Sequence, residues 1–276
     1  MKPATVVEIA RQELVVTVRN RWTVIFAAVF AALVISIAYF GVMAEGFSGM
    51  QSFTRTSASL LNLVLYIVPL IALTMGTLAF TGDKGSTELL FSQPLSRMDV
   101  ILGKLLGVFA SIALSTLIGF SVAGAMIFVS NGVEGFASYA LFVILSLALA
   151  LAFLSMALLV STACRRKVKA FGIAFFLWFF FVLFYDLLAL GGTLLLRGQS
   201  ANMFLFISIF GNPVDMVRVA TLMILDNATI FGAAGAVLVR FLGGGTSGTL
   251  VLTAALSAWV VVPLIISRSL IRGQDI

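Results

Sequence analysis

Long apolar runs, broken by short polar punctuation, dominate the chain. Six stretches nearly free of charge predict membrane-crossing helices at roughly 22–44, 57–81, 103–130, 136–162, 169–192 and 247–268. Each supplies the ~20 apolar residues that cover about 30 Å of hydrocarbon at ~1.5 Å per residue. Between the third and fourth, Asn131–Gly132–Val133–Glu134–Gly135 leaves room only for a tight turn, so those two spans are antiparallel neighbours. Residues 44–58 read as a modest loop. The region from about 192 to 248 is long and still apolar. Within it, Asn212, Pro213 and Asp215 have the pattern of a helix start. Asn caps, Pro lacks an N–H where none is needed, and a carboxylate meets the positive end of the helix dipole. A helix over about 213–225 follows, then a second apolar run, Ala228–Leu242, carrying Arg240. Each piece is short for a crossing. The pair reads as re-entrant from the outer side or as packed externally on the spans, with two further spans as the rival.

Composition agrees with the pattern. Of 276 residues, 61% are hydrophobic and 10% charged, against about 45–50% and 25% in soluble domains. The chain is expected to be an all-α polytopic membrane protein, one transmembrane domain over 1–276. A soluble enzyme, a nucleic-acid reader and a disordered chain are excluded. The first 21 residues carry Lys2, Glu8, Arg11, Glu13, Arg19 and Arg21 ahead of a long apolar run, which is not a cleavable leader. With the N-terminus inside, Lys2, Arg11, Arg19, Arg21, Lys84, Arg97, Lys104, Arg165, Arg166, Lys167, Lys169, Arg268 and Arg272 face the cytoplasm. Only Arg55, Arg197, Arg218 and Arg240 of the 17 basic residues fall outside. That asymmetry predicts cytoplasmic termini and accounts for the high pI without nucleic acid.

Three segments invite a role beyond spanning. Residues 4–20 place Val7, Ala10, Leu14 and Val18 on one helical face, which suits a helix lying in the cytoplasmic interface; contact with a partner is the other reading. The inner segment 81–100 is punctuated by Gly82, Gly85 and Pro94. Ser86 or Thr87 can cap a short helix, Thr87–Ser92, with Glu88 in its first turn and Leu89, Leu90 and Phe91 on it. Ser96 and Asp99 then have the spacing of a cap for the third span. The short apolar helix reads either as a docking element or as a loop folded back on the membrane. The run Arg165, Arg166, Lys167, Lys169 reads as a cytoplasmic anchor, with partner docking as the alternative.

Candidate chemistry is sparse. There is no histidine, and Cys164 is the single cysteine. Met75, Met126 and Met156 fall within spans but are scattered and read as packing rather than as a copper site. Asp186, near the outer end of the fifth span, reads as an interfacial carboxylate. No phosphate loop, no G-x-S-x-G and no H-E-x-x-H is present. No catalytic residue and no metal ligand is assigned. Gly103 and Gly107 form a G-x-x-x-G suited to close helix packing.

The amphipathic first helix, six spans with both termini inside, and the segment Gly85–Ser86–Thr87–Glu88–Leu89–Leu90–Phe91–Ser92–Gln93–Pro94, leading through Arg97 into Gly103–Gly107, together resemble the permease subunits of type-2 ABC exporters. The resemblance implies a non-catalytic subunit of the bacterial inner membrane. Residues 85–94 would be its coupling helix, docking on cytoplasmic ABC ATPase subunits that hold ATP and magnesium. It further implies an external helical pair before the last span and a second copy of the chain. Asn212–Pro–Val–Asp–Met–Val–Arg218 and the overall length are similar to the permeases of transporters that mature nitrous oxide reductase. Such transporters work with a periplasmic β-helical partner and are associated with copper or sulfur supply to the enzyme's copper centres. Asn212, Pro213, Asp215, Arg218, Asp226 and Arg240 would then offer a polar rim for periplasmic docking. Two uses of the machine follow: transmission of motion to the periplasmic partner, or export of a small copper or sulfur species. A secondary carrier or channel is the more distant alternative, and it lacks the midplane polar groups it would need.

Overall fold

The computed structural model describes residues 3–48, 51–81, 96–164, 166–196, 198–224 and 245–272, and all secondary structure among them is helical. In chain order the elements are α1 (Pro3–Val18), α2 (Arg21–Ser48), α3 (Gln51–Phe80) and α4 (Arg97–Ala163). After them come α5 (Lys167–Phe179), one π-helical turn (Phe180–Phe184), α6 (Tyr185–Leu195), α7 (Gln199–Phe210), α8 (Pro213–Ile224) and α9 (Gly245–Arg272). Among the described residues, six segments are long and apolar enough to cross a membrane: Arg21–Gly41, Ser59–Phe80, Met98–Met126, Phe136–Ala163, Lys167–Leu195 and Ser247–Ile271.

α4 is helical over 67 residues yet doubles back on itself. Tyr139 Oη donates to the Phe120 carbonyl at 2.8 Å across 19 positions, a separation of about 28 Å in a straight helix. The Phe120 and Phe142 rings stand 5.8 Å apart, edge to face. The two limbs, 98–126 and 136–163, are therefore antiparallel neighbours. The first limb opens at Ser96, whose hydroxyl accepts the Asp99 N–H at 3.2 Å, as the sequence spacing predicts. On the other side of α3, the expected loop over 44–58 is instead helical up to Ser48 and again from Gln51.

The second limb of α4 is the axis of the bundle. Its window is 72% buried, against 17% for the Lys167–Leu195 and Ser247–Ile271 spans. Small residues explain this. Ala150, Ala152 and Ala157 are fully enclosed. A Cβ on Gly76 of α3 would stand 2.6 Å from Leu154 Cδ1 and 2.7 Å from Ala157 Cβ. Backbones approach closely where side chains are short, and the gain is dispersion along the whole contact. α3, α9 and α2 then pack around α4.

α1 packs along the first limb of α4. Val6, Ile9 and Thr17 are buried, while Val7 is 65% exposed and Val18 is also exposed. Gly103 and Gly107 decide the rotation. A Cβ on Gly103 would lie 2.7 Å from Ile9 Cβ, and one on Gly107 would lie 2.6 Å from Glu13 Cβ. The G-x-x-x-G is thus a notch for the N-terminal helix; Val7 on α1 and Trp22 at the start of α2 face outward.

Candidate functional site

The bundle has two chemically distinct ends. At the α1 end lie Ser96, the first turns of α4, Cys164 and the start of α5. The proposed coupling residues Gly85, Ser86, Thr87, Glu88, Leu89, Leu90, Phe91, Ser92, Gln93 and Pro94 fall outside the described residues, as does Arg165. Their flanks are described: α3 ends at Phe80, and α4 begins at Arg97 against α1. Arg166, Lys167 and Lys169 are exposed around the break that follows Cys164. Arg166 is the N-cap of α5 and makes no side-chain capping hydrogen bond, and the cations of the run oppose the positive end of the helix dipole there.

A cleft of about 280 Å³ opens between α1, the last turn of α3 and the first turns of α4. Glu13 and Lys104 line it. Burial pushes the Glu13 carboxyl above the usual carboxylate range, while the Lys104 charge pulls it the other way. Lys104 Nζ reaches the Ala79 carbonyl at 3.5 Å, a cation at the negative end of α3. Neither residue stands out in the sequence, because their meeting depends on the glycine notch.

At the far end, α7 and α8 form a helical pair bent by 104°. The sequence reading places such a pair at 213–225 and 228–242; the described pair is 199–210 and 213–224, and 228–242 lies outside the described residues. Each limb has 12 residues, about 18 Å long and well short of a crossing. The bend is held by an interlocking set of polar contacts. Asn212 Oδ1 accepts the Val214 N–H at 2.9 Å and so caps α8, as its sequence pattern predicts. Its Nδ2 donates to the Phe181 carbonyl and to Asp215 Oδ2, both at 2.9 Å. Phe181 lies in the π turn, where the widened helix frees a carbonyl. The last carbonyls of α7, orphaned by the helix end, are also satisfied: Tyr185 Oη donates to Ser208 O at 2.7 Å and Trp259 Nε1 to Phe210 O at 3.2 Å.

Arg218 joins the two helical layers. One guanidinium nitrogen meets Asp215 Oδ1 at 2.7 Å and Asp186 Oδ2 at 2.9 Å. Two carboxylates thus share one cation in a half-buried setting. Burial pushes Asp215 up to about 7; Arg218 opposes this, the Asp186 charge adds to it, and Asn212 opposes it slightly. Asp186 is therefore more than the isolated interfacial carboxylate of the sequence reading. The sequence reading gave Asp215 and Arg218 only as parts of a docking rim; their i, i+3 pairing and the link to Asp186, 32 residues away, come from the tertiary structure.

Four of the six residues of the expected docking rim fall among the described residues. Asn212 is 0% exposed and Pro213 is buried. Asp215 and Arg218 are turned toward each other and toward Asp186, so within this chain they brace the pair rather than present a rim. Asp226 and Arg240 lie outside the described residues. The exposed surface at this end is largely apolar, with Leu187, Leu190, Leu194, Leu195, Met203 and Ile207, and Gln199, Ser200 and Asn202 are exposed beside them.

The span methionines are packing residues. Met75 and Met156 are buried, and Met126 packs partly buried against the core. Met75 Sδ accepts from the Thr23 hydroxyl at 3.5 Å. Among the described residues, no group of three or more His, Cys, Asp or Glu side chains gathers as metal ligands would.

Comparison with known proteins follows the same lines. The family model described as ABC-2 family transporter protein matches residues 7–275. The chain is 36% identical over 274 residues, 97% of this chain and 98% of the relative, to the probable ABC transporter permease protein NosY of Pseudomonas aeruginosa. It is 35% identical over 273 residues, 96% and 97% of the two chains, to the protein of the same name from Stutzerimonas stutzeri.

Proposed function

The chain belongs to the ABC-2 transporter family, and on that premise we propose that it couples ATP hydrolysis by a separate cytoplasmic ATPase to a periplasmic partner during maturation of the copper centres of nitrous oxide reductase. Membership makes it an ABC transporter permease, resembling NosY from end to end; the secondary carrier or channel is thereby set aside. The finer reading adds a bacterial inner-membrane location with both termini cytoplasmic and two copies of the chain matching a two-fold ATPase dimer. ATP and magnesium bind the ATPase, residues 85–94 dock on it, and a β-helical protein receives the motion outside.

One observation carries this reading. α4 packs against α1 at one end and against α8 at the other. A displacement at the segment preceding Arg97 is therefore transmitted through close-packed helices to the braced pair at the far end. Packed elements of this kind shift between discrete arrangements rather than deform smoothly. The membrane-embedded residues offer no histidine, and the sole cysteine sits at the α1 end. Motion rather than metal conduction is the better use of such a scaffold. Export of a small copper or sulfur species is the second reading, favoured by the presence of Met75 in the lining of the cleft.

Phe91→Asp or Leu89→Asp tests the coupling. Burying an unpaired carboxylate in an apolar groove costs a few kcal/mol, so the variant inserts normally but loses the ATPase. Retained binding and turnover remove this segment from the mechanism. Replacing Met75, Met126 and Met156 together with Leu tests the cargo question. Normal copper loading of nitrous oxide reductase is expected. Lost loading with ATPase activity and partner binding intact would favour export.

A further inference from the structure

The cleft at the α1 end is a built site of mixed chemistry. Met75 and Leu78 supply an apolar wall from α3, while Gln12, Glu13, Asn20 and Lys104 face it from α1, the following corner and α4. Glu13 and Lys104 belong to opposing elements, and among the described residues no ion pair joins them. An anion and a cation are thus held apart across a space of about 280 Å³, on the order of nine waters and small even for a ligand pocket. That volume admits a polar headgroup rather than a whole amphiphile. The setting points the same way. The cleft lies where the Ser59–Phe80 and Met98–Met126 spans end and begin. The adjoining α1–α2 corner exposes Val15, Val18 and Trp22, the pairing of aliphatic surface and indole that marks a membrane interface.

We propose that this cleft binds the headgroup of an ethanolamine phospholipid, with the ammonium on Glu13 and the phosphate on Lys104. A primary ammonium carries three N–H donors and can form a charge-assisted hydrogen bond to a carboxylate. A choline headgroup has none, and a glycerol headgroup has no cation. Gln12 and Asn20 can donate to phosphate oxygens from their carboxamides. Acyl chains leave past the exposed apolar corner. Because the cleft is walled by three elements, an occupied site holds α1 against α3 and α4. This goes beyond the proposed function and does not depend on it.

The test uses the whole permease, purified in detergent and equilibrated with an equimolar mixture of phosphatidylethanolamine, phosphatidylcholine and phosphatidylglycerol. Retained lipid is counted by native mass spectrometry. The parent is expected to retain the ethanolamine lipid in preference to the other two. Glu13→Gln keeps the side-chain volume and should cut that preference about tenfold, the loss of one charge-assisted hydrogen bond, while leaving glycerol-lipid retention unchanged. Lys104→Met should weaken retention of every phosphate-bearing lipid at this site; if it unfolds the protein, Glu13→Gln alone decides. Excess soluble phosphoethanolamine is expected to leave bound lipid in place. Equal retention of ethanolamine and choline lipids by the parent, or parent-like selectivity in Glu13→Gln, would overturn the assignment. Displacement of lipid by the soluble headgroup would assign the cleft to a free zwitterion instead.

Discussion

Replacing Gly107 with alanine probes the seating of α1 more sharply than any polar substitution. A Cβ at this position would stand 2.5 Å from the Ala10 carbonyl oxygen, 2.6 Å from Glu13 Cβ and 3.1 Å from the Leu14 nitrogen. Two of these three are helix backbone atoms, which cannot rotate aside. Relief requires α1 to withdraw by nearly 1 Å, and a gap of 0.5–1 Å forfeits roughly a quarter to a half of each dispersion contact it opens. Overpacking of this kind costs about 1–3 kcal/mol. The better helix propensity of alanine returns up to about 1 kcal/mol. The net loss is about 1–2 kcal/mol at the α1–α4 contact, on the order of a tenfold fall in the docked population. Gly172 on α5 supplies the contrast, since a Cβ there meets nothing within 4 Å; Gly172→Ala should stabilise by up to about 1 kcal/mol. Hydrogen exchange of peptides covering residues 3–18, with thermal unfolding in the same detergent, reads both effects. Faster exchange confined to α1 in Gly107→Ala, and a slightly raised Tm in Gly172→Ala, are expected. Parent-like protection of α1 in Gly107→Ala would refute the notch.

Three further outcomes are expected. Asn212→Ala strips the α8 cap and leaves the Phe181 carbonyl and Asp215 Oδ2 without the Asn212 donor; about 3 kcal/mol should be lost, seen as a clear drop in Tm, whereas Asn212→Ser retains a cap acceptor without adding a charge and loses less. Asp215, raised to about 7 by burial first, makes protonation favourable to the folded state. Its contribution is complete below the ordinary aspartate value of about 3.9 and fades as pH rises through about 7. The permease should therefore melt higher at pH 5.5 than at pH 8, and Asp215→Asn should flatten that slope; an unchanged slope would assign the pH dependence to other groups. Cysteines introduced at Val168 and Thr246, in a background lacking Cys164, should label from opposite faces of the membrane, Val168 from the cytoplasm, and labelling of both from one side would break the six-span topology.

The six spans, the antiparallel pairing of the third and fourth, the Ser96 cap and the Asn212–Pro213 helix start were all legible in the sequence, though the turn expected at 131–135 is helical. Each is a local property. Hydrocarbon thickness demands a run length, a helix end demands an acceptor, and neither asks what lies across the bundle. The position of α7 was not legible, because an apolar run such as Ala201–Phe210 has the same composition whether it crosses, re-enters or packs externally. The rotation of α1 was set by Gly103 and Gly107, about 90 residues downstream, where an absent side chain makes the contact possible. The joining of Asp186 to Arg218 and of Asn212 to the Phe181 carbonyl likewise came from tertiary structure. Buried polar groups must find partners wherever the fold brings them. A single chain of residues carries the demand for a partner but not its address. That address was decided when the π turn and the bent pair closed over the end of the bundle.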